Sequence, residues 1–289
     1  MKSVLVTGGQ GALGLAVASH LRSQGYAVIC ASRSLSRDEG SVKLDVTDSE
    51  QVAAALKSIK PSLIFHLAAT YESDFDSAFT TNVKGAKNML AAVEQIGSTT
   101  RVVLAGSAAE YGLVSAEENP IREDRLLHPV STYGLTKSWQ TSWGLLCAHQ
   151  GQDVVIARIF NLDGSGLSVR LFLGRMDQQI REVHEGQRKR IEVGSLTAVR
   201  DYVAIEDAAY QLVAIAERGK TGQIYHVASG RPLQMRDLLA RRLALQGLDF
   251  GIVNEHVSLS SRIGYDVPMI YADITKTHLL LNDMKNDSH

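Results

Sequence analysis

The sequence predicts an α/β fold, in which a doubly wound parallel sheet carries helices on both faces. Three observations predict it. Short apolar, β-branched runs suited to buried strands alternate along the chain with longer amphipathic runs suited to helices. The first of these strands passes directly into a glycine-rich turn and then into a helix. The chain of 289 residues is long enough to bury a large core, in one domain or in two closely joined ones.

Composition and charge exclude several classes of protein. The chain is 45% apolar and 21% charged, with a net charge of −1, which is typical of globular proteins. The basic run at residues 188–190 is too short for the broad basic face that binds nucleic acid. No apolar run approaches the ~20 residues of a membrane span, and no signal peptide precedes the first strand. Cys30 and Cys147 lack metal or disulfide spacing. We therefore expect a cytoplasmic protein without a metal, nucleic-acid or membrane partner.

The first strand, at residues 3–7, leads into the turn that predicts a cofactor. Glycine lets the backbone turn tightly and approach a pyrophosphate closely, and the start of the following helix offers free N–H groups. A strand, a glycine-rich turn and a helix in this order form a dinucleotide-phosphate cradle. We expect the cofactor to contact Gly8, Gln10, Gly11, Ala12, Leu13 and Gly14.

The second strand, at residues 27–31, ends where the type of nicotinamide cofactor is selected. An NAD-preferring site carries an acidic residue at this point for the ribose 2′-hydroxyl. Ser32 brings no carboxylate to repel a phosphate, and the guanidinium of Arg33 has a fork of donors that suits one. The pattern favours NADP(H) over NAD(H). The alternative is that Arg33 lies in solvent at the end of the strand.

Two further strand ends are expected at the cofactor. Asp45 follows a short third strand and could accept from the adenine amine with Val46 beside the ring, although it could also be an ordinary turn aspartate. The fourth strand contains His66, which we expect to be packed or hydrogen-bonded rather than catalytic. Small residues at the end of that strand would let a cofactor approach the carboxyl edge of the sheet. The residues at this strand end are Leu67, Ala68 and Ala69.

The reacting groups are expected at the fifth strand and the helix that follows. Ser107 stands just after this strand, at the carboxyl edge where reacting groups collect. Tyr133 and Lys137 stand four residues apart on one face of a helical run. A phenol titrates near pH ~10, and a nearby ammonium favours the phenolate, so we expect Lys137 to lower the pKa of Tyr133. Tyr133 could then exchange a proton with a sugar oxygen that Ser107 also binds. The alternative is an ordinary surface helix pair.

Together these motifs resemble those of the extended short-chain dehydrogenase/reductases, most of which act on nucleotide-activated sugars. The resemblance covers nearly the whole chain and implies a Rossmann-type fold with a smaller C-terminal α/β substrate domain. It also implies that Ser107, Tyr133 and Lys137 are the catalytic set and that Tyr133 and Lys137 contact the nicotinamide ribose. The matching motifs are Gly8-x-x-Gly11-x-x-Gly14, His66-Leu-Ala-Ala69, Ser107 with Tyr111-Gly112, Tyr133-x-x-x-Lys137, Arg158-Ile-Phe-Asn161 and Val199-Arg200-Asp201-Tyr202.

Within this family the residues after Ser107 separate the chemistries. Sugar 4,6-dehydratases resemble this chain but carry acidic residues there, where Ala108 and Ala109 cannot transfer protons. Epimerase–reductases of the fucose route place a cysteine at the position of Ala108, so ring epimerisation is disfavoured. What remains is hydride transfer to a ketone, or a 4-epimerase that oxidises and re-reduces its sugar with bound NAD.

The last third of the chain is similar to reductases of GDP-4-keto-6-deoxymannose, and a GDP-4-keto-6-deoxyheptose reductase would look much the same. The resemblance implies that Asn161 and the region near Arg200 hold the nucleotide diphosphate. A guanidinium can bind phosphate oxygens with two bonds at once, although Arg200 could instead pair with Asp201 or Glu206. We expect the substrate to contact Ser107, Ala108, Tyr133, Asn161, Arg200 and Arg262.

The resulting hypothesis is an NADPH-dependent reductase of a nucleoside-diphosphate-4-keto-6-deoxysugar, GDP-linked by resemblance, with Tyr133 as the proton donor. The alternatives are a 4-epimerase with tightly bound NAD and a non-enzymatic nucleotide-sensing protein on the same fold. We predict a dinucleotide-binding domain at residues 1–162, to which residues 195–230 return, and a mainly substrate-binding domain at residues 163–289. A helix and an entry loop are expected within residues 164–190.

The sequence also suggests how copies of the chain associate and where it ends in irregular structure. Two long helices, near residues 83–95 and 134–149, are expected to form a homodimer interface. From residue 282 onward we expect a frayed tail.

Overall fold

The computed structural model describes residues 3–34, 40–97, 99–256 and 267–286, with side chains described up to residue 283. Within these ranges short strands alternate with helices. The strands are β1 (Ser3–Thr7), β2 (Ala27–Ser32), β3 (Ser41–Lys43), β4 (Leu63–His66), β5 (Arg101–Ser107), β6 (Val154–Ile159), β7 (Asn161–Asp163), β8 (Ile191–Val193), β9 (Val199–Ala204), β10 (Ile224–Val227), β11 (Pro232–Gln234), β12 (Val253–Glu255) and β13 (Met269–Ile270). The helices are α1 (Ala12–Ser23), α2 (Ser49–Ile59), α3 (Phe75–Ala78), α4 (Gly85–Gln95), α5 (Thr132–His149), α6 (Phe172–His184), α7 (Ile205–Arg218), α8 (Met235–Leu245) and α9 (Thr275–Asn286).

A seven-stranded sheet forms the centre of the molecule, in the order β10-β6-β5-β4-β1-β2-β3, and every neighbouring pair is parallel. The strand order reverses between β1 and β4. In open parallel sheets such a reversal leaves a crevice outside the carboxyl ends of the strands, and ligands bind there. The sheet therefore provides a ligand crevice between the ends of β1 and β4.

Helices cover both faces of this sheet because its strands are apolar on both sides. Val4 and Val6 of β1 are fully buried with residues of α1 and α7, whereas Leu5 between them is fully buried with residues of α2 and α4. Successive side chains of a strand point to opposite faces, so one strand serves two cores. Each side chain buried in this way contributes roughly 1.5–3 kcal/mol. The predicted doubly wound α/β fold is confirmed.

The later part of the chain builds smaller sheets beside the carboxyl edge of the central one. Strand β9 pairs with β11 in antiparallel fashion and with β7 and β13 in parallel fashion, and β8 pairs with β12. An apolar cluster joins α6 and α8 to β8. Arg242 of α8 also bonds Asp163 of β7 at 2.7 Å and Asp177 of α6. These contacts hold the smaller sheets and helices together as the wall of the crevice that faces the carboxyl edge of the central sheet.

The observed helices differ from the sequence expectation at the end of the chain. The helix expected within residues 164–190 is α6. The expectation of a frayed tail from residue 282 is wrong up to Asn286, because α9 continues that far and packs against α7 and β10. Among the described residues, no helix combines the length and apolarity needed to cross a membrane.

Candidate active site

A cleft of about 760 Å³ lies at the carboxyl edge of the central sheet. It brings together most of the residues that the sequence predicted at a site. Gln10 is not among the lining residues, because its side chain extends toward β3, where Nε2 donates to Ser41 Oγ at 3.4 Å. Arg262 lies outside the described residues. The predicted residues that line the cleft are Gly8, Gly11, Ala12, Leu13, Gly14, Ser32, Arg33, Asp45, Val46, Leu67, Ala68, Ala69, Ser107, Ala108, Tyr133, Lys137, Asn161 and Arg200.

The turn between β1 and α1 has room for backbone only. Gly8 adopts a φ of +68°, which side-chain-bearing residues rarely adopt, and a Cβ on Gly14 would stand 2.4 Å from the Gly8 carbonyl oxygen. Helix α1 has no acidic residue in its first turn, and its N-cap, Gly11, offers no side chain. Its first N–H groups and the positive end of its dipole therefore suit an anion. This cradle fits the pyrophosphate of a dinucleotide.

The ends of β2 and β3 form the adjoining part of the cleft. Ser32 Oγ donates to the carbonyl of Ser34, and Arg33 lines the cleft. Asp45 Oδ1 accepts from the amide of Thr47 at 2.9 Å and from its hydroxyl at 2.8 Å. Asp45 is therefore a turn aspartate that also lines the cleft, and its contact with an adenine stays a prediction.

His66, at the end of β4, lies beneath the cleft rather than in it. Its Nδ1 is hydrogen-bonded to Thr7 Oγ1 at 3.0 Å, and the side chain is only 1% exposed. Burial lowers the pKa of His66 to about 3, with a smaller contribution from the Lys137 ammonium. The imidazole is neutral at physiological pH and packed as expected.

Ser107, the last residue of β5, is held in a fixed orientation. Its Oγ accepts from the amide of Ala109 at 3.2 Å, and its own amide donates to Glu110 Oε1 at 2.7 Å. This reciprocal arrangement is a capping box around one helical turn. The hydroxyl proton of Ser107 is not used in this arrangement, so the side chain can still donate to another acceptor.

Helix α5 brings Tyr133 beside Ser107. The helix is capped by Ser131, whose Oγ accepts from the amide of Gly134 at 3.0 Å. A Cβ on Gly134 would stand 2.3 Å from the carbonyl oxygen of Ala109, so only glycine lets the helix approach the segment after β5 so closely. The phenol of Tyr133 and the side chain of Ser107 line the same part of the cleft, and Ser107 lowers the pKa of the phenol by less than burial raises it.

The predicted pKa of Tyr133 is wrong. Burial in the cleft raises the pKa of this phenol well above its ordinary value, and Tyr71 raises it further. Lys137 does not lower it, and its ammonium, only 2% exposed, donates to Gln140 Oε1 at 2.7 Å. Burial also lowers the pKa of Lys137 to about 8. Desolvation therefore outweighs the attraction that the sequence argument assumed, and Tyr133 keeps its proton at neutral pH.

A buried ion pair supports this constellation, and the sequence analysis did not find it. Glu110 and Arg158 are 0% and 1% exposed and form two bonds, of 2.9 and 3.1 Å. Glu110 also accepts from Thr141 of α5 at 3.1 Å, besides the amide of Ser107. Removing one member of a buried pair costs roughly 3–5 kcal/mol. The signal in the sequence was a glutamate three residues after a serine, which is the spacing of a capping box.

The opposite wall of the cleft comes from β7 and β9. Arg200 lines the cleft and donates to the Val199 carbonyl at 2.9 Å. Asp201 is fully buried, and its carboxylate accepts from Ser229 and from the amides of Gly230 and Ala272. Because neighbours in a strand point to opposite faces, Asp201 anchors a loop while Arg200 reaches the cleft. Asn161 Nδ2 donates to the Asp201 carbonyl at 3.0 Å and so ties β7 to β9.

Several lining residues were not assigned to the site by the sequence analysis. Tyr71 lies between β4 and α3, and Tyr202 lies on β9. The segment before α6 passes over the start of α1, where a Cβ on Gly166 would stand 3.9 Å from the Cβ of Ala12. These contacts join parts of the chain that are far apart in sequence, so only the three-dimensional structure reveals them. The other unpredicted residues from this segment and from the start of α6 are Leu167, Ser168, Leu171, Phe172 and Leu173.

Comparison with known proteins places this geometry in a family. The model of the NAD dependent epimerase/dehydratase family matches residues 4–228. A relative from Pseudomonas aeruginosa, GDP-6-deoxy-D-mannose reductase, is 29% identical over 205 residues, which are 68% of this chain and 66% of the relative, slightly less than two thirds of its length. The dTDP-6-deoxy-L-talose 4-dehydrogenase (NAD(P)(+)) of Kitasatospora kifunensis is 24% identical over 82% of this chain and 76% of that relative.

Solved structures share the same fold. RMD from Pseudomonas aeruginosa, complexed with NADPH, has a TM-score of 0.84 at 21% identity and covers 98% of this chain and 93% of its own. MoeE5 in complex with UDP-glucuronic acid and NAD has a TM-score of 0.83 at 28% identity, with 97% and 92% covered. The chain belongs to the NAD dependent epimerase/dehydratase family and is an NAD(P)-dependent oxidoreductase of the short-chain dehydrogenase/reductase type.

Proposed function

We propose that this chain is an NADPH-dependent reductase of a nucleoside-diphosphate-4-keto-6-deoxysugar, with a GDP-linked sugar as the preferred substrate. The observation that carries the proposal is the meeting of Ser107 and a protonated Tyr133 in the same cleft as the glycine cradle. A reductase needs a group that still holds its proton when the ketone binds. A phenol with a raised pKa meets this need at neutral pH.

The residues of the cleft have separate roles in the reduction. The bound cofactor supplies the hydride that reduces C4 of the sugar. Ser107 donates a hydrogen bond to the carbonyl oxygen and so orients it. Tyr133 gives its proton to the alkoxide that forms at that oxygen, because an alkoxide is a stronger base than a phenolate. The glycine cradle holds the pyrophosphate, and Lys137 binds the nicotinamide ribose.

The preference for NADPH and for a GDP-sugar rests on charged and polar groups of this chain. Ser32 and Arg33 line the cleft at the end of β2, where a 2′-phosphate would meet a guanidinium and no carboxylate. Arg200 lines the opposite wall and suits the substrate diphosphate. RMD, one of the structural neighbours, is complexed with NADPH, and one relative is a GDP-6-deoxy-D-mannose reductase.

We also propose that the protein acts as a homodimer through α4 and α5. Trp139, Trp143 and Leu146 are 41%, 36% and 45% exposed and recur at helical spacing on α5. Phe75, 43% exposed, packs edge-on against Trp139 at 5.9 Å between ring centroids. An apolar stripe of this kind is typical of an association surface. Light scattering of the wild type and of Trp143→Glu tests it, with a dimer expected for the first and a monomer for the second.

The function is tested by following NADPH oxidation with freshly prepared GDP- and dTDP-4-keto-6-deoxysugars, with NADH as the comparison. We expect turnover with the keto-sugars, faster with GDP and with NADPH, and none with a saturated NDP-hexose. A 4-epimerase would convert the saturated sugar without external reductant and would carry bound NAD. A nucleotide-sensing protein would bind the sugars without consuming NADPH. Either outcome would overturn the proposal.

A further inference from the structure

The ammonium of Lys137 has a buried acceptor on its own helix. Gln140 follows three residues later on α5, and residues at this spacing share one face of a helix. Lys137 Nζ donates to Gln140 Oε1 at 2.7 Å. Gln140 is 0% exposed and is not among the described residues that line the cleft, whereas Lys137 lines it. Any effect of Gln140 on a bound cofactor therefore passes through Lys137.

The other end of the Gln140 amide is bonded to the central sheet. Its Nε2 donates at 2.7 Å to the carbonyl of Ala105, which lies on β5, the strand that ends at Ser107. A carbonyl only accepts and an ammonium only donates, so the two partners of the amide allow one orientation. A flipped amide would place its NH₂ group against the Lys137 ammonium. The oxygen of Gln140 is therefore the end that faces Lys137.

This oxygen is the acceptor that a buried ammonium needs. Lys137 is 2% exposed, so water does not reach most of its surface. Among the described residues, Gln140 Oε1 is the one acceptor within hydrogen-bond distance of Lys137 Nζ. A desolvated charge without an acceptor is unfavourable, so its loss would let the side chain turn away. An ammonium has three N–H donors, and the bond to Gln140 leaves two for the hydroxyls of a ribose.

Other contacts hold α5 against the segment that begins at Ser107. Thr141, the next residue of the helix, donates to Glu110 Oε1 at 3.1 Å, and the same oxygen accepts from the amide of Ser107. The close approach of Gly134 to the Ala109 carbonyl is a further contact. Loss of the glutamine amide should therefore change the position of the ammonium more than the position of the helix.

We propose that Gln140 is a positioning residue, which fixes the Lys137 ammonium so that its two remaining N–H groups bind the hydroxyls of the nicotinamide ribose. Gln140 touches neither cofactor nor substrate, and it exchanges no proton. Its contribution is to keep the donors of Lys137 directed into the cleft, so that the nicotinamide is held against the sugar ketone. The inference rests on the part of the proposed function in which Lys137 binds the ribose.

A double-mutant cycle on cofactor affinity tests this role and needs no turnover. Gln140→Met keeps the length of the side chain and removes the acceptor, so the dissociation constant of the cofactor should rise about tenfold. In a Lys137→Met background the same change should alter that constant by less than about twofold, because the group that Gln140 holds is gone. Fluorescence titration with NADPH or NADH, whichever the wild type binds more tightly, gives the four constants. An unchanged constant in Gln140→Met alone, or equal losses in both backgrounds, would overturn the proposal.

Two further variants separate the bond to Lys137 from the bond to Ala105. Gln140→Glu keeps an acceptor for the ammonium and loses the amide donor, so cofactor affinity should stay within about threefold of the wild type. Gln211→Met is the matched control, because the buried amide of Gln211 on α7 bonds the backbone of Ala228 at 2.9 and 3.0 Å. It should lower the midpoint of urea unfolding and leave cofactor affinity unchanged. A loss of affinity in either variant as large as that of Gln140→Met would contradict a role through Lys137.

Turnover distinguishes this inference from the proposed function. With a GDP-4-keto-6-deoxysugar, Gln140→Met should lower kcat about tenfold through misplacement of the cofactor, with KM for the sugar within about twofold of the wild type. If the wild type oxidises no NADPH with any keto-sugar, the reductase assignment fails, and the affinity cycle still decides the role of Gln140. If the wild type is active and the cycle shows no coupling, the role of Gln140 alone is overturned.

Discussion

One half of the cleft is formed mainly by backbone atoms and the other half mainly by side chains. The nucleotide half, at the ends of β1 and β2, is shaped by backbone, since Gly8 and Gly14 leave no room for side chains. The sugar half is made of side chains from distant segments, among them Tyr71, Tyr133 and Arg200. A cradle formed by the backbone tolerates few substitutions, and a few adjacent residues of the sequence determine it. A side-chain wall can change its chemistry while the fold stays the same.

The largest expected effect lies in the sugar half. Tyr133→Phe should lower kcat by about 10²- to 10⁴-fold, the range for loss of a general acid, because the ring remains and the transferable proton is gone. The dissociation constant for NADPH, measured by fluorescence, should stay within about twofold, since the cradle is untouched. A variant that turns over as fast as the wild type would remove Tyr133 from the mechanism.

Lys137 lies between the two halves, and its burial should cost stability. The pKa of Lys137 is lowered to about 8 from an ordinary value of 10.5, so the fold disfavours its charged form. At about 1.4 kcal/mol per pKa unit the cost is about 3 kcal/mol below pH 8, and it fades as the pH rises toward 10.5. Lys137→Met should therefore be more stable than the wild type at pH 7 by about 2 kcal/mol, after loss of about 1 kcal/mol from the Gln140 hydrogen bond.

Urea unfolding at pH 7 and at pH 10 measures this difference. The gain in the free energy of unfolding from Lys137→Met should be smaller at pH 10 than at pH 7. Lys57→Met, at an exposed position of α2, is the control and should show no pH-dependent gain. A gain for Lys137→Met that is equal at both pH values would mean that the ammonium is not destabilised by its surroundings.

In the nucleotide half a single methyl group should be enough to damage the cradle. Gly14→Ala would place a Cβ 2.4 Å from the Gly8 carbonyl oxygen, and overpacking of this kind costs about 1–3 kcal/mol. We expect weaker NADPH binding and a lower free energy of unfolding. Gly11→Ala is the matched control, because its Cβ would meet the same oxygen at 3.3 Å. Equal losses in the two variants would contradict a cradle shaped by close backbone contact.

The smallest of these effects is expected at Arg200. Arg200→Lys keeps the charge but loses the fork of donors, so KM for the nucleotide sugar should rise about tenfold, which corresponds to roughly 1.4 kcal/mol. NADPH affinity should not change, because Arg200 lies on the opposite wall. Steady-state kinetics with both ligands varied separates the two constants. A rise in the KM for NADPH alone would assign Arg200 to the cofactor instead.

The sequence was most informative where a local pattern determines the structure. The fold class is confirmed, because alternating strands and helices specify a doubly wound sheet. The turn from Gly8 to Gly14 could be located because the need for glycine is local. Ser107 could be placed at the carboxyl edge of the sheet because it ends a parallel strand, and Tyr133 was assigned to the same site by the family resemblance. The division into domains near residue 162, the preference for NADP(H) and the roles of the site residues stay predictions.

What the sequence did not provide depends on distance and burial. Tyr71 and Tyr133 are in contact although they are 62 positions apart in the sequence (133 − 71). No periodic pattern in the sequence indicates this contact. The pKa of Tyr133 was predicted in the wrong direction, because helix spacing to Lys137 says nothing of how deeply a phenol is desolvated. Gln10 was assigned to the cradle from its place in the turn, yet its side chain extends toward Ser41.

The most direct test of the central claim uses NADPH deuterated at its transferable position. A single turnover with a GDP-4-keto-6-deoxysugar should place one deuterium at C4 of the sugar in the wild type. Tyr133→Phe should bind both ligands yet form the labelled product far more slowly. A wild-type product without deuterium, or equal labelling rates in the two proteins, would contradict a reduction in which Tyr133 supplies the proton.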